Sequence, residues 1–240
     1  MKRFFAERND GTKVYFSKEE SNHIVKVSRL RKGDLISVPD LDHDLICEIS
    51  YDDPERAEAI IRDRSVNLAN PKADITLFMA VSKSDKMELI AQKACELGIN
   101  RFIPFISRRC VKIPDERSSV KMHDRIVRIT EESLKQCGRN RRMEIGNVMT
   151  FDSLIASVEK EHDIIFAYEK AEVPLKSFFD PARPISELSL IVGCEGGFDQ
   201  DEAERLKKAG AFPVSLGGRI LRAETAAIAL MSVSSYLLDN

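Results

Sequence analysis

Leu188-Ser189-Leu190-Ile191-Val192 runs into Gly193-Cys194-Glu195-Gly196-Gly197-Phe198, and Asp199-Gln200-Asp201-Glu202 follows. A short apolar run bounded by glycine predicts a buried strand rather than a helix. The glycines predict a bend whose backbone N–H groups stay open to a ligand. Asp199 and Glu202 have capping-box spacing, so a helix starts there. Strand end, glycine bend and helix start together mark the place where open α/β sheets bind ligands. The bend does not fit G-x-G-x-x-G, and no early strand is followed by that fingerprint, which argues against a dinucleotide site.

One such loop is equally well explained as a tight turn that binds nothing. A second loop changes the balance. Phe212 to Leu216 reads as a strand, and Gly217-Gly218-Arg219-Ile220-Leu221-Arg222-Ala223-Glu224-Thr225-Ala226 leads from it into a helix of about Ala223 to Leu238. Two strand-end loops can wall one pocket, with backbone groups for an adenine and Ile220 and Leu221 as apolar cover. Arg219 and Arg222 are open to two readings, structural ion pairs or contacts to substrate.

Outward from these loops the chain alternates strands and helices. Strands are expected at Ile75–Val81, Arg101–Ile106, Ile145–Val148 and Ile164–Tyr168. Ser84 is the expected cap of a helix that buries Met87, Ile90, Ala91 and Ala94 and ends at Gly98. Val120, Ile126, Val127, Thr130, Leu134 and Cys137 predict a second amphipathic helix. The fold class is therefore α/β with a mostly parallel sheet. The last helix is too apolar for a free surface and belongs inside the domain or against a second subunit. Residues 1–70 differ. They read as short strands (Leu35–Val38, Leu45–Ile49, Ala59–Ile61) with one helix from Lys18 towards Val27 behind the capping-box spacing of Ser17 and Glu20, a small β-rich module and a candidate barrel. Asn70-Pro71 is the expected joint.

The 240 residues carry a formal net charge of −2, which conceals an uneven distribution. Asp40 to Asp63 holds nine acidic residues against two arginines, a local net of −7, whereas Arg101 to Arg142 has a local net of +7. Such a field can steer a polyanion even on a mildly acidic chain. The competing account is a set of solvated helix faces. Within the basic stretch, Glu132-Ser133-Leu134-Lys135-Gln136-Cys137-Gly138-Arg139-Asn140-Arg141-Arg142 places three arginines after a helix-ending glycine, and Arg108, Arg109 and Lys112 lie in the same half. Guanidinium forks suit phosphate oxygens.

Several classes are disfavoured. Five cysteines without a C-x-x-C pair fit reduced thiols of a cytoplasmic protein better than a disulfide framework. The histidines at 23, 43, 123 and 162 have no metal-ligand spacing, so no metal is expected. Cys137 has no histidine at motif spacing and reads as a packed thiol. The start of the chain becomes charged too soon for a signal peptide, and no stretch reaches the length of a membrane span.

Taken together, the Gly193–Phe198 bend, the Leu216–Ala226 segment and Gln136-Cys137-Gly138-Arg139 resemble the RsmE-type 16S rRNA uridine-N3 methyltransferases of the SPOUT superfamily. Lys83-Ser84-Asp85-Lys86-Met87-Glu88, Lys93-Ala94-Cys95-Glu96-Leu97-Gly98 and the stretch from His23 to Asp34 are similar to that family too. Cys194 departs from it, since the family more often has proline there. The resemblance implies a PUA-like RNA-binding domain at 1–70 and a SPOUT domain with a trefoil knot at 71–240. It implies a homodimer that binds S-adenosylmethionine and methylates N3 of one uridine in 16S rRNA of the small ribosomal subunit. The cofactor residues it implies are Tyr168, Glu169, Gly193, Glu195, Gly196, Gly197, Leu216, Gly217, Arg219, Ile220, Leu221 and Thr225. Arg222, Glu195 and Glu224 are the candidate catalytic groups by location. RNA contacts are expected at Arg3, Arg29, Arg31, Lys32, Arg108, Arg109, Arg139, Arg141 and Arg142. Other readings remain open: a methyltransferase acting on another RNA, a non-catalytic RNA-binding protein, or a metabolite-binding α/β enzyme.

Overall fold

The computed structural model describes residues 1–159, 163–180 and 182–239. The chain forms two units, Met1–Asn70 with Cys137–Arg141, and Pro71–Gln136 with Arg142–Asn240. In the first unit, β1 (Lys2–Arg3), β2 (Arg8–Asn9), β3 (Lys13–Tyr15), β4 (Leu35–Asp40), β5 (His43–Asp53) and β6 (Arg56–Val66) form one sheet. Its order is β1-β4-β5-β6-β3-β2, antiparallel except where β1 meets β4. Alternation decides its faces. Ile36 and Val38 pair with Cys47 and Leu45, and all four are buried. The strands run well beyond the apolar segments that predict them, because backbone pairing continues through the charged ends of β5 and β6.

The expected helix after Ser17 divides. Lys18–Asn22 is α-helical (α1) and His23–Val27 is a π-helical turn. Ser17 caps α1 by accepting the Glu20 N–H, but Glu20 does not close the capping box; its carboxylate accepts the Phe5 N–H at 3.1 Å. The segment Cys137–Arg141 is held to this unit by asparagines. Asn70 Oδ1 accepts the N–H groups of Asn140 and Arg141 at 3.0 and 3.2 Å, and Asn67 Nδ2 donates to the Gly138 carbonyl at 3.0 Å.

In the second unit the strands are β7 (Asp74–Ala80), β8 (Arg101–Ile106), β9 (Glu144–Ile145), β10 (Met149–Thr150), β11 (Ile164–Ala167), β12 (Glu187–Val192) and β13 (Phe212–Val214). The helices are α2 (Ser84–Glu96), α3 (Glu116–Cys137), α4 (Phe151–Val158), α5 (Gln200–Lys208) and α6 (Ala223–Asp239). The sheet order is β10-β8-β7-β12-β11-β13, with β9 also on β8, and every pairing among the described residues is parallel. β7 and β12 are buried on both faces, which is why they read as nearly unbroken apolar runs.

Three local expectations are corrected. Lys83, not Ser84, is the N-cap of α2, and Ser84 Oγ instead donates to Glu88 at 3.0 Å. Val120 is 56% exposed, because the buried face of α3 begins only at Ile126. The apolar run 145–148 is not one strand. Only Ile145 is in a strand, as the end of β9; 146–148 form a link to β10, and the two short strands pair with different parts of β8.

Candidate functional site

β12 ends at Val192, and the chain turns at once. The Gly197 N–H donates to the Cys194 carbonyl at 2.9 Å, closing a tight turn, and Gly197 has φ +63°. A Cβ on Gly193 would stand 3.2 Å from the Gly197 carbonyl carbon, so the bend folds this tightly only without a side chain there. Phe198, 2% exposed, anchors the exit. It stacks on Phe105 at 6.4 Å and meets Phe166 edge-on at 5.8 Å. Burial of such a side chain stabilises by about 1.5–3 kcal/mol, enough to fix the loop at this end. Asp199 and Glu202 then form the capping box expected from their spacing.

Two other strand ends converge on the bend. Tyr168, just past β11, is buried and donates its N–H to the Val214 carbonyl of β13 at 3.1 Å. Glu169 comes next, and its carboxylate lies 3.4 Å from where a Gly197 Cβ would be. Beyond β13, Gly217 has φ +111°, and no atom lies within 4 Å of a Cβ position on Gly217 or Gly218. Their backbone is therefore approachable. Leu216 and Leu221 are half-buried, while Arg219, Arg222 and Thr225 are exposed. Ile220 is 92% exposed in the single chain, so the apolar cover expected of it is not in place there.

One side chain ties these elements together. Lys86, in the first turn of α2, places its Nζ 3.3 Å from Glu195 Oε1 on the bend and 3.2 Å from Glu224 Oε2 at the start of α6. The Glu224 and Glu195 carboxylates raise the Lys86 ammonium above its ordinary value against the cost of desolvation. Burial pushes Glu195 up, but its own N–H and Lys86 outweigh that and leave it below the usual carboxylate value. Two of the expected catalytic groups, Glu195 and Glu224, are thus joined by one cation, Lys86, that was not among the expected site residues. Lys86 is remote in sequence from both partners. The available signal was a glutamate on the bend and another at the start of the last helix, which call for a nearby counter-charge.

The basic residues separate into different environments. Arg29, Arg31 and Lys32 are exposed. Arg139 is only 1% exposed, so its guanidinium is shielded from solvent and is not offered to phosphate. Arg3 is engaged too, with Nη1 3.0 Å from Asp44 Oδ1 and Nη2 3.0 Å from the Arg139 carbonyl. Arg141 pairs with Asp42 at 2.7 Å, Arg142 with Glu131 at 3.3 Å and Arg108 with Asp199 at 2.7 Å. All three arginines are exposed, though Asp199 is only 16% exposed, and ion pairs at such exposed guanidinium groups are weak and exchange with water. Arg109 donates to the Gly196 carbonyl.

Among the described residues no three His, Cys, Asp or Glu side chains could hold a metal, and His162 lies outside those residues. The five cysteines are free thiols. No helix among the described residues is long and apolar enough to cross a membrane. Two grooves of about 210 and 410 Å³ along α3 contain only Arg142 of the expected site residues. The groups at the bends do suit a cationic nucleoside: open backbone at Gly217 and Gly218, a glycine turn at 193–197, and two carboxylates against one lysine, which leave the cluster net negative.

A parallel α/β sheet whose strand-end loops bend at glycine and carry facing carboxylates defines a ligand-binding α/β domain, and comparison with known proteins identifies it as an RNA methyltransferase domain. The RNA methyltransferase domain model matches residues 69–235. Ribosomal RNA small subunit methyltransferase E of Bacillus subtilis is 30% identical over 91% of this chain and 88% of its own length. The protein of that name from Aquifex aeolicus is 29% identical over 96% of this chain and 97% of its own. The crystal structure of ribosomal RNA small subunit methyltransferase E from Neisseria gonorrhoeae, bound to S-adenosylmethionine, superposes with a TM-score of 0.82 at 26% identity, covering 99% and 98% of the two chains. The chain belongs to the ribosomal RNA small subunit methyltransferase E family.

Proposed function

We propose that this protein transfers a methyl group from S-adenosylmethionine to N3 of a uridine in 16S rRNA, acting in the cytoplasm on the small ribosomal subunit. The observation that carries the reading is the convergence of the Gly193–Gly197 and Leu216–Thr225 loops on carboxylates joined by Lys86. The SAM-bound relative supports the choice of cofactor.

The cofactor supplies an electrophilic sulfonium methyl. The protein's part is to place the nucleophile in line with it and to manage the N3 proton. That proton must leave before or during transfer, because uridine is neutral at N3 around pH 7. Glu195 and Glu224 are the carboxylates placed to accept it. Arg222, which is exposed, supplies the positive charge that stabilises the uridine anion. N3 lies on the Watson–Crick edge, so the base must be unpaired or flipped out. Tyr168, Glu169, the glycine bend and the Leu216–Leu221 segment form the cofactor walls. Exposed Arg29, Arg31 and Lys32, with Arg108, Arg141 and Arg142, hold RNA phosphates.

The finer architecture belongs to the same reading. The antiparallel first unit supports a PUA-like RNA-binding barrel. Insertion of β12 between β7 and β11, with α6 packed on α2 and β12, supports a trefoil knot. Exposed Val233, Tyr236 and Leu237, at helical spacing on α6, support a homodimer.

The test mixes purified protein, methyl-labelled cofactor and small subunits from cells lacking the modification. Label at N3 of one uridine is expected. No label, under conditions where a relative labels the same subunits, refutes the activity. Label at another base or another RNA moves the protein to a different substrate.

A further inference from the structure

Glu195 lies on the bend after β12 and Glu224 in the first turn of α6, beyond the loop that follows β13, yet each has a carboxylate oxygen within 3.3 Å of the same Lys86 Nζ. The lysine side chain is 21% exposed, and the carboxylates are 30% and 15% exposed, so the three charges are partly shielded from solvent. Without a cation, two carboxylates this close repel, and the loops that carry them are pushed apart. We infer that Lys86 is a positioning residue whose ammonium fixes Glu195 and Glu224 against one another and so sets the spacing between the two cofactor loops.

This inference rests on the reading of those loops as the S-adenosylmethionine site. The charged groups acting on Lys86 are Glu224 from α6 and Glu195 from the bend. The further titratable or charged groups on the bend are the Cys194 thiol, hydrogen-bonded to Cys110 on the segment after β8, the Glu169 carboxylate against Gly197 and the Arg109 guanidinium on the Gly196 carbonyl. Lys86 therefore balances one of two negative charges and leaves the cluster at net −1, compatible with a cationic ligand.

The consequence is a pH dependence that the wild-type protein lacks. In Lys86→Met the two carboxylates face each other without a cation. One of them is then raised above the ordinary carboxylate value and takes up a proton as the pH falls. Calorimetric titration with S-adenosylmethionine should show affinity about tenfold weaker than wild type near pH 7, recovering as the pH is lowered to about 5, while wild type changes little over that interval. Lys86→Arg should retain most of the affinity. Adding Glu224→Gln to Lys86→Met should restore binding near pH 7, because it removes the repulsion rather than the damage of a lost side chain.

Equal or tighter binding by Lys86→Met overturns the inference. So does a loss that is the same at every pH and is not restored by the second substitution, since that is the signature of a misfolded loop. If wild type itself fails to bind the cofactor, the cofactor reading fails first, and it does so in an experiment without any variant.

Discussion

Arg109 donates from Nη1 to the carbonyl oxygen of Gly196 at 2.8 Å, so a guanidinium expected at the RNA braces the glycine bend. The same contact limits residue 196, where a Cβ would stand 3.0 Å from Arg109 Cβ. An exposed hydrogen bond of this kind contributes about 0.5–1.5 kcal/mol. Arg109→Ala is therefore expected to weaken S-adenosylmethionine binding by roughly two- to tenfold. Gly196→Ala should weaken it further by displacing the turn. Calorimetry with unchanged dissociation constants for both variants would count against the brace.

Asp199 offers a test of the helix that follows. Its carboxylate accepts the Glu202 N–H at 2.8 Å and pairs with Arg108. Asp199→Ala should cost about 1 kcal/mol, and Asp199→Asn much less, because asparagine also caps. In a protein of this size the alanine variant should lose roughly 2–4 °C in melting temperature. The Glu202 N–H, followed by Arg108, holds the Asp199 pKa below its ordinary 3.8. A depressed carboxylate stabilises above its unfolded value and loses that contribution as pH falls through its folded value. The gap between wild type and Asp199→Ala should therefore be full near neutrality and close in strong acid. Melting curves across pH measure it.

A thiol pair lies under the bend. Ser107 Oγ is 3.6 Å from both Cys110 Sγ and Cys194 Sγ. Hydrogen bonding from Cys110 draws the Cys194 thiol down to about 6 despite its burial, and Cys110 is pushed up in return. The two titrate as a unit. Since the depressed thiol favours the folded state more as pH rises from about 6 towards its ordinary 9.0, Cys110→Ala should remove a stabilisation that grows over that interval. The ultraviolet thiolate signal of the native protein should shift to higher pH in the same variant. A signal that stays in place would assign the low-pKa thiolate elsewhere.

Salt dependence separates RNA contacts from structural arginines. Arg29→Ala and Lys32→Ala should each reduce the slope of log affinity against log salt for single-stranded rRNA fragments by about 0.7. Arg139→Ala should instead lower the melting temperature, at a cost above the ~1 kcal/mol typical of point substitutions, because its guanidinium is buried. An Arg139 variant with wild-type stability and a reduced salt slope would reverse that assignment.

The parallel sheet was legible because β7 and β12 are buried on both faces and their apolar runs have no competing period. The bend at 193–197 and the cap at Asp199 were legible because both depend on nearest neighbours in sequence. The failures have two origins, one local and one in contacts that only the folded chain makes. A serine at position 84 is a good cap, but α2 begins one residue earlier than the serine rule places it. Glu20 has the right spacing for a capping box and a better partner in Phe5, which only the folded β-unit brings near. Lys86 and Arg139 show the deeper limit. Whether a cation lies on the surface, in an ion triad or in a core depends on contacts between distant segments, and charge counting along the chain contains none of that information.

Because Cys137–Arg141 completes the unit that begins at Met1, Asn70 is a boundary on the sequence but not a place to cut. A gene fragment ending there would encode a sheet whose Asn67 and Asn70 side chains have lost the backbone they bind. Recombination between relatives faces the same constraint. An exchanged amino-terminal segment works only if its asparagines suit the recipient's pentapeptide, so the two stretches must be inherited as a pair despite the long span of other sequence between them.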